Sequence, residues 1–367
     1  MKNFILILIL YFLFYPVLST AATEKEPKRI IDIHCHIAGI GAGGSGCFVS
    51  PSLRRNWRYR IYLKAFGITE KDLEREGDAI AVKRISETVA ASRLVEKAVI
   101  LAMDGIIDEK GNLDMKKTEI YIPDNYVACQ VRRYPNLLFG ASINPHRKDA
   151  IQRLEQAKAD GAVLIKWLPS VQLIDPADRR LIPFYLKMKE LDLPLLCHTG
   201  SENSFTWKKD ELADPERLRL PLSLGVTVIA AHSGGFGKNG GEANFKRFLR
   251  LAQEYPNLYA DISALTQVNR LRSLNRLLKH RELQGRLLYG SDMPLINTVI
   301  SSPFFHTCHL RPWTFFKIMA NKNPWDRNVA LNKALGVTDE MLGNSGKILK
   351  MKHTRLIHPQ KNCCRCQ

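Results

Sequence analysis

Two histidines separated by one residue close an apolar run in Ile31-Asp32-Ile33-His34-Cys35-His36. Side chains alternate along a strand, so His34 and His36 share one side and Cys35 takes the other. Imidazoles at that spacing lie about 7 Å apart along the backbone and are able to close on one divalent ion. A His-x-His pair alone carries little weight, because such pairs occur by chance in loops. Its weight comes from polar residues that end later apolar runs. These are Lys166 in Leu164-Ile165-Lys166-Trp167, His198 in Cys197-His198-Thr199-Gly200, His232 in Ala231-His232-Ser233-Gly234-Gly235, and Asp292 in Gly290-Ser291-Asp292-Met293-Pro294. Imidazole and carboxylate suit a borderline divalent ion such as zinc, with iron or manganese as alternatives. An open coordination position lowers the pKa of bound water toward about 7, making hydroxide available at neutral pH. His232 or Asp292 is then placed to move protons.

Residues so far apart in sequence meet only if a fold brings the ends of their strands together. Eight apolar, strand-like runs occur, at 29–34, 97–103, 137–144, 162–168, 193–199, 227–232, 258–265 and 286–291. Helical patterns lie between most of them, at 149–159, 183–190, 242–254 and 270–280. Near-continuous apolar strands alternating with helical crossovers predict an α/β fold, a closed (β/α)8 TIM barrel, in which the C-terminal strand ends share one face. That face would unite His36 and Asp292 across 256 positions.

Around the barrel the chain reads as follows. Residues 1–22 have the pattern of a signal peptide, with Lys2, an apolar stretch from Phe4 to Leu18, and small residues at Ser19-Thr20-Ala21-Ala22. Export to the periplasm or the medium is the expectation. The alternative is an uncleaved N-terminal anchor, which would associate the protein with a membrane. The barrel is expected over 29–350, followed by a basic tail over 351–367 that carries Cys363, Cys364 and Cys366. After the first strand, Gly39 to Gly46 reads as a mobile loop, since it lacks the spacing of a dinucleotide fingerprint. The basic and aromatic stretch 54–64 reads as an amphipathic helix on the barrel rim, with a roof over the site as the other reading. Residues 69–96 are helical in pattern, with Thr69 as N-cap, and closing helices are expected after about residue 303. The chain carries 54 Lys and Arg against 36 Asp and Glu, for a formal net charge of +18. That surplus is scattered and no nucleic-acid module accompanies it, which predicts a solvated basic surface and no specific nucleic-acid partner. Cys35 and Cys197 flank inward-facing histidines, so they should point into the helix layer as buried apolar residues.

Taken in order, Asp32-Ile33-His34-Cys35-His36, His198-Thr199-Gly200, His232-Ser233-Gly234-Gly235 and Gly290-Ser291-Asp292-Met293-Pro294 resemble the amidohydrolase superfamily. The likeness is to the amidohydrolase-related (amidohydrolase-2) branch of TIM-barrel metal-dependent hydrolases, which also contains aminocarboxymuconate-semialdehyde decarboxylase-like enzymes. It covers roughly residues 30–350, including closing helices over 323–349. The resemblance implies that His34, His36, His198 and Asp292 ligate a divalent metal, zinc first among the candidates and one ion rather than two. It implies an acid/base or electrophilic role for His232, or second-metal ligation if the site is binuclear. Lys166 corresponds to a position that is a carboxylated, metal-bridging lysine in some members; contact with substrate or a structural role are the other readings.

The function expected is metal-dependent hydrolysis of a small-molecule substrate. Non-oxidative decarboxylation on the same metal site is the alternative. Ile37-Ala38-Gly39 followed by a glycine loop, in place of the proline-rich continuation usual in decarboxylase-like relatives, argues against it. A non-catalytic metal- or ligand-binding barrel is the remaining class. Glu202 and Trp167 are candidates for the pocket wall. The substrate and the oligomeric state are not legible.

Overall fold

A computed structural model describes residues 30–349. The expected signal segment and the cysteine tail lie outside the described residues. Eight parallel strands form one sheet: β1 (Ile30–His36), β2 (Val95–Leu101), β3 (Leu137–Ala141), β4 (Ala162–Trp167), β5 (Leu195–His198), β6 (Val228–Ala231), β7 (Leu258–Asp261) and β8 (Leu287–Leu288). Their order in the sheet is their order in the chain. The last strand returns to the first. Ile33 N–H donates to Tyr289 O at 3.1 Å, Asp292 N–H to His34 O at 2.9 Å, and His36 N–H to Met293 O at 3.0 Å. Helices on the outside connect the strands, among them Ala79–Ala90, Ala150–Ala159, Ile182–Glu190 and Asn244–Glu254. The fold is the expected (β/α)8 barrel.

The period of two separates two apolar layers. Ile31, Ile33, Val99, Leu164, Leu196, Ile229 and Leu288 fill the barrel interior, while Cys35, Ile100, Ile165, Cys197 and Ala230 pack into the helix layer. Each interior Val, Leu or Ile contributes about 1.5–3 kcal/mol relative to exposure. Such a plug is therefore able to offset the cost of the polar cluster that sits directly on it. In β1 the alternation breaks, because the pairing register with β2 slips between Asp32 and Cys35. A slip of that kind lets neighbouring residues face the same way. Ile33 joins the interior layer and His34 points to the polar centre above it, while Cys35 still faces outward as expected.

Several expectations are corrected. The pattern over 69–96 is two helices, Glu70–Glu76 and Ala79–Ala90, parted at Gly77 with φ 80. Thr69 does cap the first of them, in a reciprocal box with Asp72. The helix expected at 270–280 begins only at Ser273, which leaves Arg270 in the loop after β7. The glycine loop is pinned rather than loose, since Ile40 N–H and Gly41 N–H both donate to the Asp78 carboxylate, at 3.0 and 2.9 Å. Among the described residues, the part after Pro303 is helical, with Pro312–Met319, Pro324–Ala334, Asp339–Gly343 and Ser345–Ile348 closing the molecule. No helix of the described residues is long and apolar enough to cross a membrane.

Candidate metal centre and its pocket

His34 lies at the centre of the C-terminal face. Its Nδ1–H donates to Asp261 Oδ2 at 2.7 Å, which leaves the lone pair on Nε2. That Nε2 lies 3.1 Å from His36 Nε2, 3.0 Å from Lys166 Nζ and 3.5 Å from Asp292 Oδ1. His36 Nε2 and Asp292 Oδ1 are 3.6 Å apart. The three separations of 3.1, 3.5 and 3.6 Å lie near the edge of about 3.3 Å in a tetrahedral shell with bonds of about 2.0–2.1 Å. His34, His36 and Asp292 therefore form a group able to hold a divalent ion. One further atom fits that chemistry, because His198 Nε2 is buried without a hydrogen-bond partner.

The charge state of the cluster suits ligation. Burial pulls His34 well below its ordinary pKa, with further push from Lys166, His198 and Arg270. His36 is lowered likewise, by burial first and His34 next, and burial lowers His198 to about 4. All three imidazoles are thus neutral donors at pH 7. Burial raises Asp292 to about 7, opposed by Lys166 and Arg270 and reinforced by Glu202 and Asp261.

His198 and His232 stand beside the trio. The His232 ring stacks on His34 at 5.2 Å and meets the edge of His198 at 4.9 Å. His232 Nδ1 lies 3.1 Å from Ser263 O, a carbonyl that only accepts, so this nitrogen carries the proton and Nε2 has the lone pair. Lys166 is fully buried, and desolvation lowers its pKa. His198 Nδ1 approaches Glu202 Oε2 at 3.6 Å. His34, His36, Lys166, His232 and Asp292 thus lie together, and His198 adjoins them through His232. Trp167 is packing instead, its Nε1–H bound to Ile143 O at 2.8 Å. Glu202 is a buried pocket residue.

Asp261, absent from the sequence expectation, organises the centre. Besides His34 it accepts from His232 N–H at 2.7 Å, Ser263 N–H at 3.1 Å and Ser263 Oγ–H at 2.5 Å. It also forms a compact group with His34 and His232, but its oxygens are committed to these donors. We therefore read it as a positioning residue rather than a ligand. Asp32 ties the ends of β1 and β8 together: it accepts from His34 N–H at 3.0 Å, Ser291 N–H at 2.9 Å and Trp325 Nε1–H at 2.8 Å. The backbone is tight here. His232, Ser233 and Asp292 hold φ of 61, 52 and 57, a left-handed conformation that costs of order 1–3 kcal/mol and clusters at functional sites. A Cβ on Gly290 would lie 2.9 Å from His34 Cβ, and one on Gly235 2.2 Å from Thr199 O. Those two glycines of the motifs are thus room for the neighbouring strand ends.

Above the cluster opens a cavity of about 380 Å³. Its floor includes His34, His36, His198, His232 and Asp292, and most of its wall is apolar, with Leu53, Tyr62, Leu63, Phe66, Met103 and Ile300. The basic and aromatic stretch folds as Pro51–Arg55 and Trp57–Ala65 and does roof the site, placing Trp57, Arg58 and Tyr59 on the wall. Arg270 also lines it, with Nε and Nη1 buried and without a hydrogen-bond partner. The sequence offered one signal for Asp261, a lone carboxylate inside the apolar run 258–265. For Arg270 it offered none.

The sequence model of the amidohydrolase family matches residues 31–313. Among solved structures, an uncharacterised TIM-barrel protein from Bordetella bronchiseptica aligns at TM-score 0.51 and 18% identity, covering 83% of this chain and 99% of that one. A provisionally assigned 2-pyrone-4,6-dicarboxylic acid hydrolase from Pseudomonas putida aligns at TM-score 0.52 and 13% identity, covering 88% and 98%. At these identities the likeness concerns the barrel. No curated protein matches the sequence.

Proposed function

The chain belongs to the amidohydrolase family, and from that premise we propose that it is a metal-dependent hydrolase of a small molecule with an apolar body and an anionic group. The observation that carries this reading is the trio of His34 Nε2, His36 Nε2 and Asp292 Oδ1, separated by 3.1 to 3.6 Å beneath a mostly apolar cavity. His34, His36 and Asp292, joined by His198, would hold one divalent ion, zinc by the chemistry of the donors. Such an ion supplies Lewis acidity and lowers the pKa of a water to about 7. The chain's own groups do the rest. His232, with its Nε2 lone pair, accepts a proton at the reacting centre and returns it to the leaving group. Asp261 holds His34 in the tautomer this needs, and Ser263 O does so for His232. The roof over 51–65 and the apolar wall exclude bulk water from the reacting bond. The reading is tested by loading the protein with one equivalent of zinc and following acid release from a panel of amides, esters and lactones that carry a carboxylate. Turnover that disappears with chelator and returns with zinc is expected. Carbon dioxide release instead of hydrolysis would replace this reading with decarboxylation, and metal binding without any turnover would make the barrel a binding protein.

Arg270 supplies the anion preference. Arg270 lines the cavity and carries two buried nitrogens without a hydrogen-bond partner, which an anionic group of the substrate would satisfy. A charge-assisted hydrogen bond of this kind contributes about 1.5–3 kcal/mol. Arg270→Met is therefore expected to lower kcat/KM for a carboxylate-bearing substrate by about 10- to 100-fold, while leaving an uncharged analogue of the same shape nearly unchanged. Equal loss for both substrates would contradict the assignment.

Lys166 and an ion both address the lone pair of His34 Nε2. With a lysine ammonium at this point, Lys166→Met keeps one ion per chain and tightens its binding by about tenfold through removal of a like charge. With a carboxylated, bridging Lys166 the same variant loses metal. Titration with zinc, read by metal analysis after gel filtration, separates the two.

A further inference from the structure

The most exposed apolar side chains of the described residues gather in two segments that lie against each other. One is the roof over 51–65, which exposes Trp57 and Ile61. The other runs through 293–325 and exposes Val299 (73%), Phe304 (65%), Trp313 (81%) and Phe316 (65%). They are joined where Asn297 Nδ2 donates to Ala65 O at 2.8 Å. Aromatic contacts tie the second segment together, with Phe304 and Phe315 at 6.5 Å and Phe315 and Phe316 at 5.5 Å. Both segments border the cavity, because Trp57, Arg58, Leu295 and Ile300 belong to its wall.

Their charge is equally one-sided. Neither 51–65 nor 293–325 contains an aspartate or glutamate. Arg55, Arg60, Lys64, Arg311, Lys317 and Lys322 are exposed there, and among the described residues none of them forms an ion pair. Exposed aromatics beside unpaired cations match a surface that offers an apolar layer beneath anionic groups, which is the interface of an anionic bilayer. A second copy of this chain fits poorly, since a two-fold contact would set the same cations against themselves. A nucleic acid would meet the cations but leave Val299 and the neighbouring aliphatic surface in water.

We propose that the face formed by 51–65 and 293–325 docks on anionic lipid bilayers and turns the mouth of the cavity toward the membrane. An apolar substrate would then enter from the lipid side. The inference stands on the surface alone and does not depend on the metal reading.

The full chain is tested with vesicles of phosphatidylcholine, with and without phosphatidylglycerol, whose acyl chains are brominated near the headgroup to quench tryptophan. Residues 1–22 contain no tryptophan, so an N-terminal anchor by itself gives binding without quenching. Quenching is expected with the anionic vesicles and not with pure phosphatidylcholine. In a Trp207→Phe background, which removes the exposed tryptophan outside these two segments, it should vanish in Trp57→Phe with Trp313→Phe, because Trp167 and Trp325 are buried. Arg311→Gln with Lys317→Gln should raise the lipid needed for half-maximal quenching by at least about tenfold. Binding without quenching, quenching that survives the double tryptophan variant, or no binding would each overturn the proposal. So would a concentration-dependent dimer that Phe304→Ser with Phe316→Ser dissociates.

Discussion

Replacing His232 by asparagine is expected to leave the metal content near that of the unchanged protein and to lower turnover by about 10²–10⁴-fold, the usual contribution of a general acid–base group. The imidazole sits beside the donor trio and not within it, stacked on His34 at 5.2 Å with Nδ1 bound to Ser263 O. Asparagine is the informative substitute. It tolerates the left-handed backbone at this position, φ 61, better than most residues, so the strand end keeps its path. It is also unable to exchange a proton near neutral pH. His198→Asn should behave differently and lose metal as well as rate, because its buried, unpartnered Nε2 is the remaining imidazole available to the ion. Metal analysis beside steady-state rates distinguishes the two variants. If His232→Asn loses half of a two-ion complement, His232 is a second-metal ligand, and a carboxylated Lys166 bridging two ions replaces the single-ion arrangement.

The double variant His34→Ala with His36→Ala is expected to abolish metal binding. It removes two of the three donors that lie within 3.6 Å of one another and leaves Asp292 as the only member of that group. Asp292 with His198 alone, half of the ligand set, does not retain a borderline divalent ion against water at micromolar concentration. The unchanged protein should hold about one ion per chain, and the double variant none after gel filtration. Folding is checked by the cooperative thermal transition of the variant. The apolar layer under the site, Ile31, Ile33, Leu164, Leu196 and Ile229, is untouched, but His34→Ala removes a donor from Asp261 and the partner of Lys166, so a lower but still cooperative transition is expected. Full metal occupancy in a folded double variant would remove the basis of the site.

Much of this site was legible before any fold was known, and the reason is periodicity. Strand side chains alternate and barrel strands end on one face, so a polar residue closing an apolar run is addressed to that face. His34, His36, Lys166, His198, His232 and Asp292 all follow that rule; Asp261 lies inside the run 258–265, and only the structure ends its strand there. Strand lengths were less legible. The apolar runs at 258–265 and 286–291 continue into loop, because their last residues turn toward the centre to bind Asp261 and Asp32 rather than the neighbouring strand.

By itself the sequence determined the barrel, the positions of the ligand candidates and the outward direction of Cys35 and Cys197, since all of these depend on local period and order along the chain. The tertiary structure alone decided what is relational. Arg270 reads in sequence as one cation of a basic helical run, and only the late start of that helix at Ser273 leaves it on the cavity wall. The stretch over 51–65 reads as a rim helix, and only its packing against 295–297 makes it the roof of the site. The slip in β1 that lets Ile33 plug the barrel while His34 reaches Asp261 requires the register with Val95–Leu101, a partner more than 60 residues away. Distances between groups remote in sequence are set by closure of the sheet, and no local pattern encodes them.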